Sequence, residues 1–173
     1  MCMTERDQQS LILFLLNSYK ICGILSREKG RNRPMNITSK GRYALRVMLD
    51  LAQHPDDGFV SLKVAAERQD ISLKYLEMII AHLKRAGLVE STRGKDGGYR
   101  LTRKPAAYSI GEILNCIEDN LAPVACIQDG SVHCDQAGAC LTIPMWKELD
   151  DITNRYLSSV TLQDLLTGEK WKR

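Results

Sequence analysis

No stretch of the 173-residue chain is apolar for long enough to cross a membrane as a helix, which takes about 18 residues or more. The best run, residues 11–16, is broken at once by Asn17, Ser18 and Lys20. A secretory leader is not expected either, because charge is mixed before Leu11 and no small-residue cleavage pattern follows Leu16. The cysteines are therefore expected in a reducing cytoplasm, where thiols serve metal or redox chemistry rather than a disulfide scaffold. A nucleotide-binding loop, a catalytic triad and paired carboxylates are absent too. The three histidines, His54, His82 and His133, stand in unrelated contexts. These absences argue against an enzyme.

What is present is an ordinary globular composition, 44% hydrophobic, with an uneven distribution of charge. Residues 35–108 carry 13 Lys and Arg against 8 Asp and Glu, whereas residues 109–173 carry 5 against 10. Such asymmetry fits a nucleic-acid-facing module followed by a part that faces something else. Residues 1–34 form an N-terminal extension ending in a basic, polar stretch before Pro34 and Met35. It reads either as a flexible basic arm or, preferably, as sequence upstream of a native start at Met35.

Within residues 35–108 the apolar spacing is helical. Ala44, Val47, Met48 and Leu51 form one buried stripe, and residues 54–58 supply a turn. Ser61 is placed to cap a short helix through Gln69. Ser72 then caps a further helix with Leu76, Ile79, Ile80 and Leu83 as its stripe and Gly87 as its stop. This pair is a helix-turn-helix, whose second helix enters the major groove. Its outward face would hold Lys74, Met78, Ala81 and Arg85, flanked by Tyr75 and Glu77. Lys74 and Arg85 suit phosphate or guanine, and Glu77 suits cytosine N4. Leu88-Val89 and residues 99–103 read as two strands around a glycine-rich tip with Asp96-Gly97 as its turn. Arg93, Lys95, Arg100, Arg103 and Lys104 make this hairpin basic, as a DNA-contacting wing would be. The fold class predicted is mainly α with a small β-wing: a winged helix-turn-helix domain followed by a long dimerisation helix.

Residues 109–173 read as a cysteine loop between helices. Ser109 and Glu112 suggest a full capping box for a helix with Ile110, Ile113, Leu114 and Ile117 on one face, ending near Asn120. A long helix from about Pro144 to Ser159 places Met145, Leu149, Ile152 and Tyr156 along one seam, suited to pairing two copies. A homodimer could then read two half-sites about 34 Å apart. Thr161 and Asp164 cap a short final helix.

Between them, Cys126, Cys134 and Cys140 lie within fifteen residues of glycine-rich loop. Thiolates select zinc, copper(I) or iron–sulfur clusters. Structural zinc usually brings cysteines two to four residues apart, so spacings of seven and five intervening residues fit an iron–sulfur cluster better, 2Fe–2S or 4Fe–4S. The fourth ligand is open: His133 is the nearest candidate, with Asp129, Asp135, Cys116 or a partner subunit as weaker options.

These motifs resemble the Rrf-two family of bacterial regulators. The resemblance runs from Met35 to about Glu169. It is carried by Thr38-Ser-Lys-Gly-Arg-Tyr-Ala-Leu45, Ile71-Ser-Leu-Lys-Tyr-Leu-Glu77, Leu88-Val-Glu-Ser-Thr-Arg-Gly94, Gly97-Gly-Tyr-Arg-Leu101 and the three cysteines ahead of Leu141-Thr142. It implies a dimeric winged helix that represses at palindromic promoters, with Ser72, Lys74, Tyr75, Glu77 and Arg93 at DNA-contacting positions. Arg42 and Tyr43 would lie near the cluster of the other subunit. IscR-like members carry a histidine where this chain has Ile143, and NsrR-like members can use an acidic residue where it has Arg42. An IscR-like iron–sulfur or redox sensor is expected first and an NsrR-like nitric oxide sensor second. CymR-like members lack the cysteines. They imply the alternative of a cluster-free regulator of sulfur metabolism, controlled by a protein partner.

Overall fold

The computed structural model describes residues 37–54, 58–94, 97–127 and 130–172, with the backbone alone at Gln128. The N-terminal extension, the Asp96 turn position and Lys95 lie outside them. No helix among the described residues is long and apolar enough to cross a membrane.

The chain runs through α1 (Ser39–Gln53), α2 (Leu62–Gln69) and α3 (Leu73–Arg85). A hairpin of β1 (Val89–Thr92) and β2 (Gly98–Leu101) follows, then α4 (Ile110–Asn115). A second, two-residue hairpin pairs β3 (Ile127–Gln128) with β4 (Ser131–Val132). The long α5 (Ile143–Ser159) and the short α6 (Leu162–Thr167) complete it. This is the helical architecture with a small wing that the periodicities predict.

The expected stripes are buried: Ala44, Val47, Met48 and Leu51 on α1, and Leu76, Ile79, Ile80 and Leu83 on α3. Each such leucine or isoleucine contributes roughly 1.5–3 kcal/mol relative to exposure. The core continues into Ile113, Leu114, Val160 and Leu162, so both halves of the described chain share one apolar interior.

Local chemistry sets the boundaries. Thr38 caps α1, its hydroxyl accepting from the Lys40 amide at 3.1 Å. Ser72 caps α3 by accepting from the Tyr75 amide at 3.4 Å. Ser61 stands at the N-cap of α2 without making a side-chain bond. Gly87, at φ +72°, ends α3 as expected: its amide donates to Lys84 O and the Leu88 amide to Leu83 O, both at 3.0 Å. That pair of bonds is the Schellman stop. The turn between α2 and α3 rests on Asp70, the only non-glycine among the described residues with positive φ, at 53°.

Three readings of the sequence need correction. The helix expected to reach Asn120 ends regularly at Asn115, because the Ile117 amide bonds back to Leu114 O at 3.0 Å in a tighter turn. The capping box at Ser109 is half formed: Ser109 accepts from the Glu112 amide at 3.1 Å, but the Glu112 carboxylate turns to Arg103 at 2.6 Å. Thr161 and Asp164 do form the full box. The cysteine segment is not plain loop either, since it contains the β3–β4 hairpin and a short 3-10 turn at Ala137–Ala139.

Candidate nucleic-acid interface and cysteine loop

The recognition helix α3 exposes Ser72, Leu73, Lys74, Glu77, Met78, Ala81, Lys84 and Arg85 opposite its buried stripe. Lys74 and Arg85 make no side-chain bond among the described residues, leaving their charges available to a ligand. Lys84 is engaged, donating to Ser91 Oγ at 2.6 Å and tying α3 to the wing. Tyr75 is half-buried and meets Tyr43 edge-on at 5.9 Å between ring centroids. Arg46 lies over that Tyr43 ring at 5.4 Å and donates to Gln69 Oε1 and O at 3.1 and 2.7 Å. Tyr75 is thereby held against α1, which Arg46 ties to the end of α2.

The wing is antiparallel, with Val89 opposite Leu101, Glu90 opposite Arg100, Ser91 opposite Tyr99 and Thr92 opposite Gly98. Val60 adds a bridge on the far side of β2, exchanging backbone bonds with Tyr99 at 2.9 and 2.8 Å. A Cβ on Gly98 would collide with the Val60 carbonyl, so glycine makes this bridge possible. Arg93 is exposed near the wing tip. Arg100 pairs with Glu90 across the strands and stacks over Phe59 at 4.5 Å. Arg103 donates to Glu112 and lies over the Tyr108 ring at 4.3 Å; the Glu112 bond raises its pKa. Of the seven expected DNA contacts, Ser72, Lys74, Tyr75 and Glu77 thus share α3. Arg93 and Arg100 share the wing, Arg100 already partnered.

Several residues that hold this surface were not singled out from sequence. Tyr108 is fully buried beneath the wing. Its phenol donates to Leu88 O at 2.9 Å and accepts from the Arg103 amide at 2.7 Å. Asp50 is buried and accepts from Gln69 Nε2 at 3.1 Å, with Arg68 at 3.5 Å, which joins α1 to the end of α2. Buried tyrosines and carboxylates need such partners, but the partners are distant in sequence.

The thiols are arranged differently. Cys134 is exposed, and Cys126 and Cys140 are partly so. The β3–β4 hairpin brings the backbone of Cys126 to that of His133, whose amide donates to Cys126 O at 2.8 Å. Tight turns then link Cys134 to Ala137 and Ala137 to Cys140. Cys140 Sγ lies 3.2 Å from Thr142 Oγ1, and this contact lowers its pKa. Cys116 instead sits at the end of α4, donating to Ile113 O at 3.1 Å, with its pKa pushed up to about 11 by burial. That favours the neutral thiol and makes Cys116 a poor ligand. By donor type, three accessible thiols on one short segment suit a soft metal centre. By position, no three His, Cys, Asp or Glu among the described residues converge on one point, and exposed His133 completes no such group.

On α5, Met145, Leu149, Ile152 and Tyr156 are 38–53% exposed in one seam, and Leu141 ahead of it is 95% exposed.

Comparison with known proteins is consistent across the whole described fold. The pattern of the family described as "Rrf2: Iron-dependent Transcriptional regulator" matches residues 37–168. A Neisseria meningitidis protein described as an HTH-type transcriptional regulator is 44% identical over 132 residues, 76% of this chain and 88% of that one. The structure of CymR, described as the global cysteine regulator of B. subtilis, is similar with a TM-score of 0.65 and 36% identity. It covers 77% of this chain and 97% of CymR. IscR of T. potens is similar with a TM-score of 0.62 and 38% identity, over 80% of this chain and 92% of that one. Regulators of transcription, not enzymes, are what this fold and these likenesses have in common. With the match running from the first described helix to the last, the chain belongs to the Rrf2 family of transcriptional regulators.

Proposed function

We propose that the protein is a cytoplasmic, homodimeric repressor that binds palindromic double-stranded DNA and adjusts that binding through the cysteine loop. One observation carries the DNA reading: the unpartnered cations of α3 stand on a helix whose other face is locked into the core, beside a basic wing. Lys74 and Arg85 would meet phosphate or guanine, Glu77 would discriminate at cytosine, and Ser72 and Tyr75 would contact the backbone. Arg93 and Lys95 would reach from the wing, with Arg100 holding its strands in register. The apolar seam on α5 supports pairing with a second copy, which would set two recognition helices at half-site spacing.

Cys126, Cys134 and Cys140 would hold an iron–sulfur cluster, with the fourth donor coming from His133 or a partner subunit. The likeness to IscR and the family's description as iron-dependent support this assignment. When bound, the cluster would supply a redox-sensitive cross-link across the loop. The chain's own contribution is a segment of short turns whose thiols must draw together to receive it. The likeness to CymR favours a second reading, in which the loop stays cluster-free and docks a protein partner.

Anaerobic purification with iron and acid-labile sulfide analysis separates the two readings. Near-stoichiometric iron and sulfide, both lost in Cys134→Ala, are expected; a colourless protein without labile sulfide would exclude the cluster. DNA affinity should fall steeply with salt, and Lys74→Ala should lower the log–log slope by about one. A response that does not vary with salt would exclude the proposed interface.

A further inference from the structure

Thr38 opens the first described helix and Glu118 follows the end of α4, yet the two side chains meet. Glu118 Oε1 accepts from the Thr38 amide at 2.9 Å, the Thr38 hydroxyl at 3.0 Å and the Gly41 amide at 3.2 Å. Its second oxygen faces the same hydroxyl at 3.2 Å. One carboxylate therefore satisfies two of the orphan amides at the positive end of α1, where an anion is favoured. The space is made for it, because a Cβ on Gly41 would collide with the carboxylate oxygen.

The neighbouring residue extends the connection to the recognition helix. Lys40 Nζ donates to Ile117 O at 3.0 Å and lies 3.4 Å from Nε2 of His82, on α3. The other ring nitrogen of His82 is 2.8 Å from Met78 O. If Nδ1 carries the proton and donates to that carbonyl, Nε2 is left as the acceptor for the Lys40 ammonium. Residues 117 and 118 thus hold the start of α1 from one side, while Lys40 reaches the last turns of α3 from the other. These two residues also begin the connection from α4 to the cysteine loop.

We propose that Glu118 is a positioning residue for DNA recognition: by clamping Thr38 and Gly41 it sets the seat of α1 against which the recognition helix is oriented. This rests on the DNA reading above for its consequence, but not for its geometry. The role differs from fold maintenance, because the stripes of α1 and α3 are buried by apolar contacts to which the Glu118 carboxylate does not belong. What it supplies is angular register between the reading head and the chain that leads to the thiols.

Glu118→Gln, which keeps size and removes charge, and Thr38→Val, which removes the hydroxyl, test this in the full-length protein. Hydrogen exchange on the free protein should show amides 38–42 and the last turns of α3, residues 82–85, exchanging about tenfold faster in both variants. On duplexes enriched by the wild-type protein from a random pool, affinity should fall about tenfold, with binding to random-sequence duplex unchanged. Faster exchange confined to residues 38–42, or equal losses on both kinds of DNA, would overturn the inference. Were the wild-type protein to enrich no sequence at all, the DNA reading would fail, while the exchange pattern across α3 would still decide the role of Glu118.

Discussion

The recognition helix and the cysteine loop present their working side chains on opposite kinds of support. Lys74 and Arg85 project from a helix capped by Ser72, stopped by Gly87 and buried along Leu76, Ile79, Ile80 and Leu83. Their backbone positions are settled before any DNA arrives, so the ordering left to binding is that of their own rotamers. Cys126, Cys134 and Cys140 flank two-residue strands and short turns, partly exposed or exposed, and do not converge among the described residues. The lesson is that the head is a preformed, rigid surface, while the loop, to hold the proposed cluster, would have to draw its thiols together.

The contrast can be broken most forcefully in the core of the head. Leu83→Ala should destabilise the protein by about 2–5 kcal/mol, the range for a fully buried leucine. Urea denaturation followed by circular dichroism would show it, and a loss under 1 kcal/mol would mean that the helix is not locked as described. The thiols come next. Burial holds Cys116 neutral with a pKa of about 11, whereas Thr142 lowers that of Cys140. At pH 8 in metal-free protein, iodoacetamide should therefore modify Cys140 on the order of a hundredfold faster than Cys116. Mass spectrometry of timed samples reads this directly, and equal rates would erase the distinction between structural and accessible thiols. Tyr108→Phe keeps the ring and removes the hydroxyl that serves Leu88 O and the Arg103 amide. A destabilisation of about 1–3 kcal/mol is expected, measured by thermal melting. The smallest effect belongs to the loop: Cys134→Ala in metal-free protein should shift stability by no more than about 0.5 kcal/mol. A larger loss would show that the loop is already part of the packed structure.

Much of the head was legible because its signals are local. The i, i+3, i+4 spacing on α1 and α3, the cap at Ser72 and the stop at Gly87 each declare themselves within a few residues. The wing followed from alternation around glycines. What escaped reading depends on pairs far apart in the chain. Glu118 reaches Thr38 across 80 positions, Tyr108 reaches Leu88 across 20, and Asp50 reaches Gln69 across 19. No periodicity announces such partners. The Val60 bridge was likewise hidden, although Gly98 at the start of β2 was its trace. At Ser109 the local signal was present and misled, because Arg103 competes for the Glu112 carboxylate more closely than the motif implies. The accessibility of Cys126, Cys134 and Cys140 agrees with their polar, glycine-containing surroundings, whereas their arrangement in space is not written in their spacing.

Asp70 narrows the substitutions open to this regulator. The bend between α2 and α3 passes through its left-handed backbone, at φ 53°. Asparagine or glycine could take that conformation, but valine, isoleucine or threonine could do so only under strain. A lineage that needed a new angle between those helices would therefore have few single-step exchanges available at this position. A change in what the protein recognises meets less backbone constraint at the outward side chains of α3 than at the bend itself.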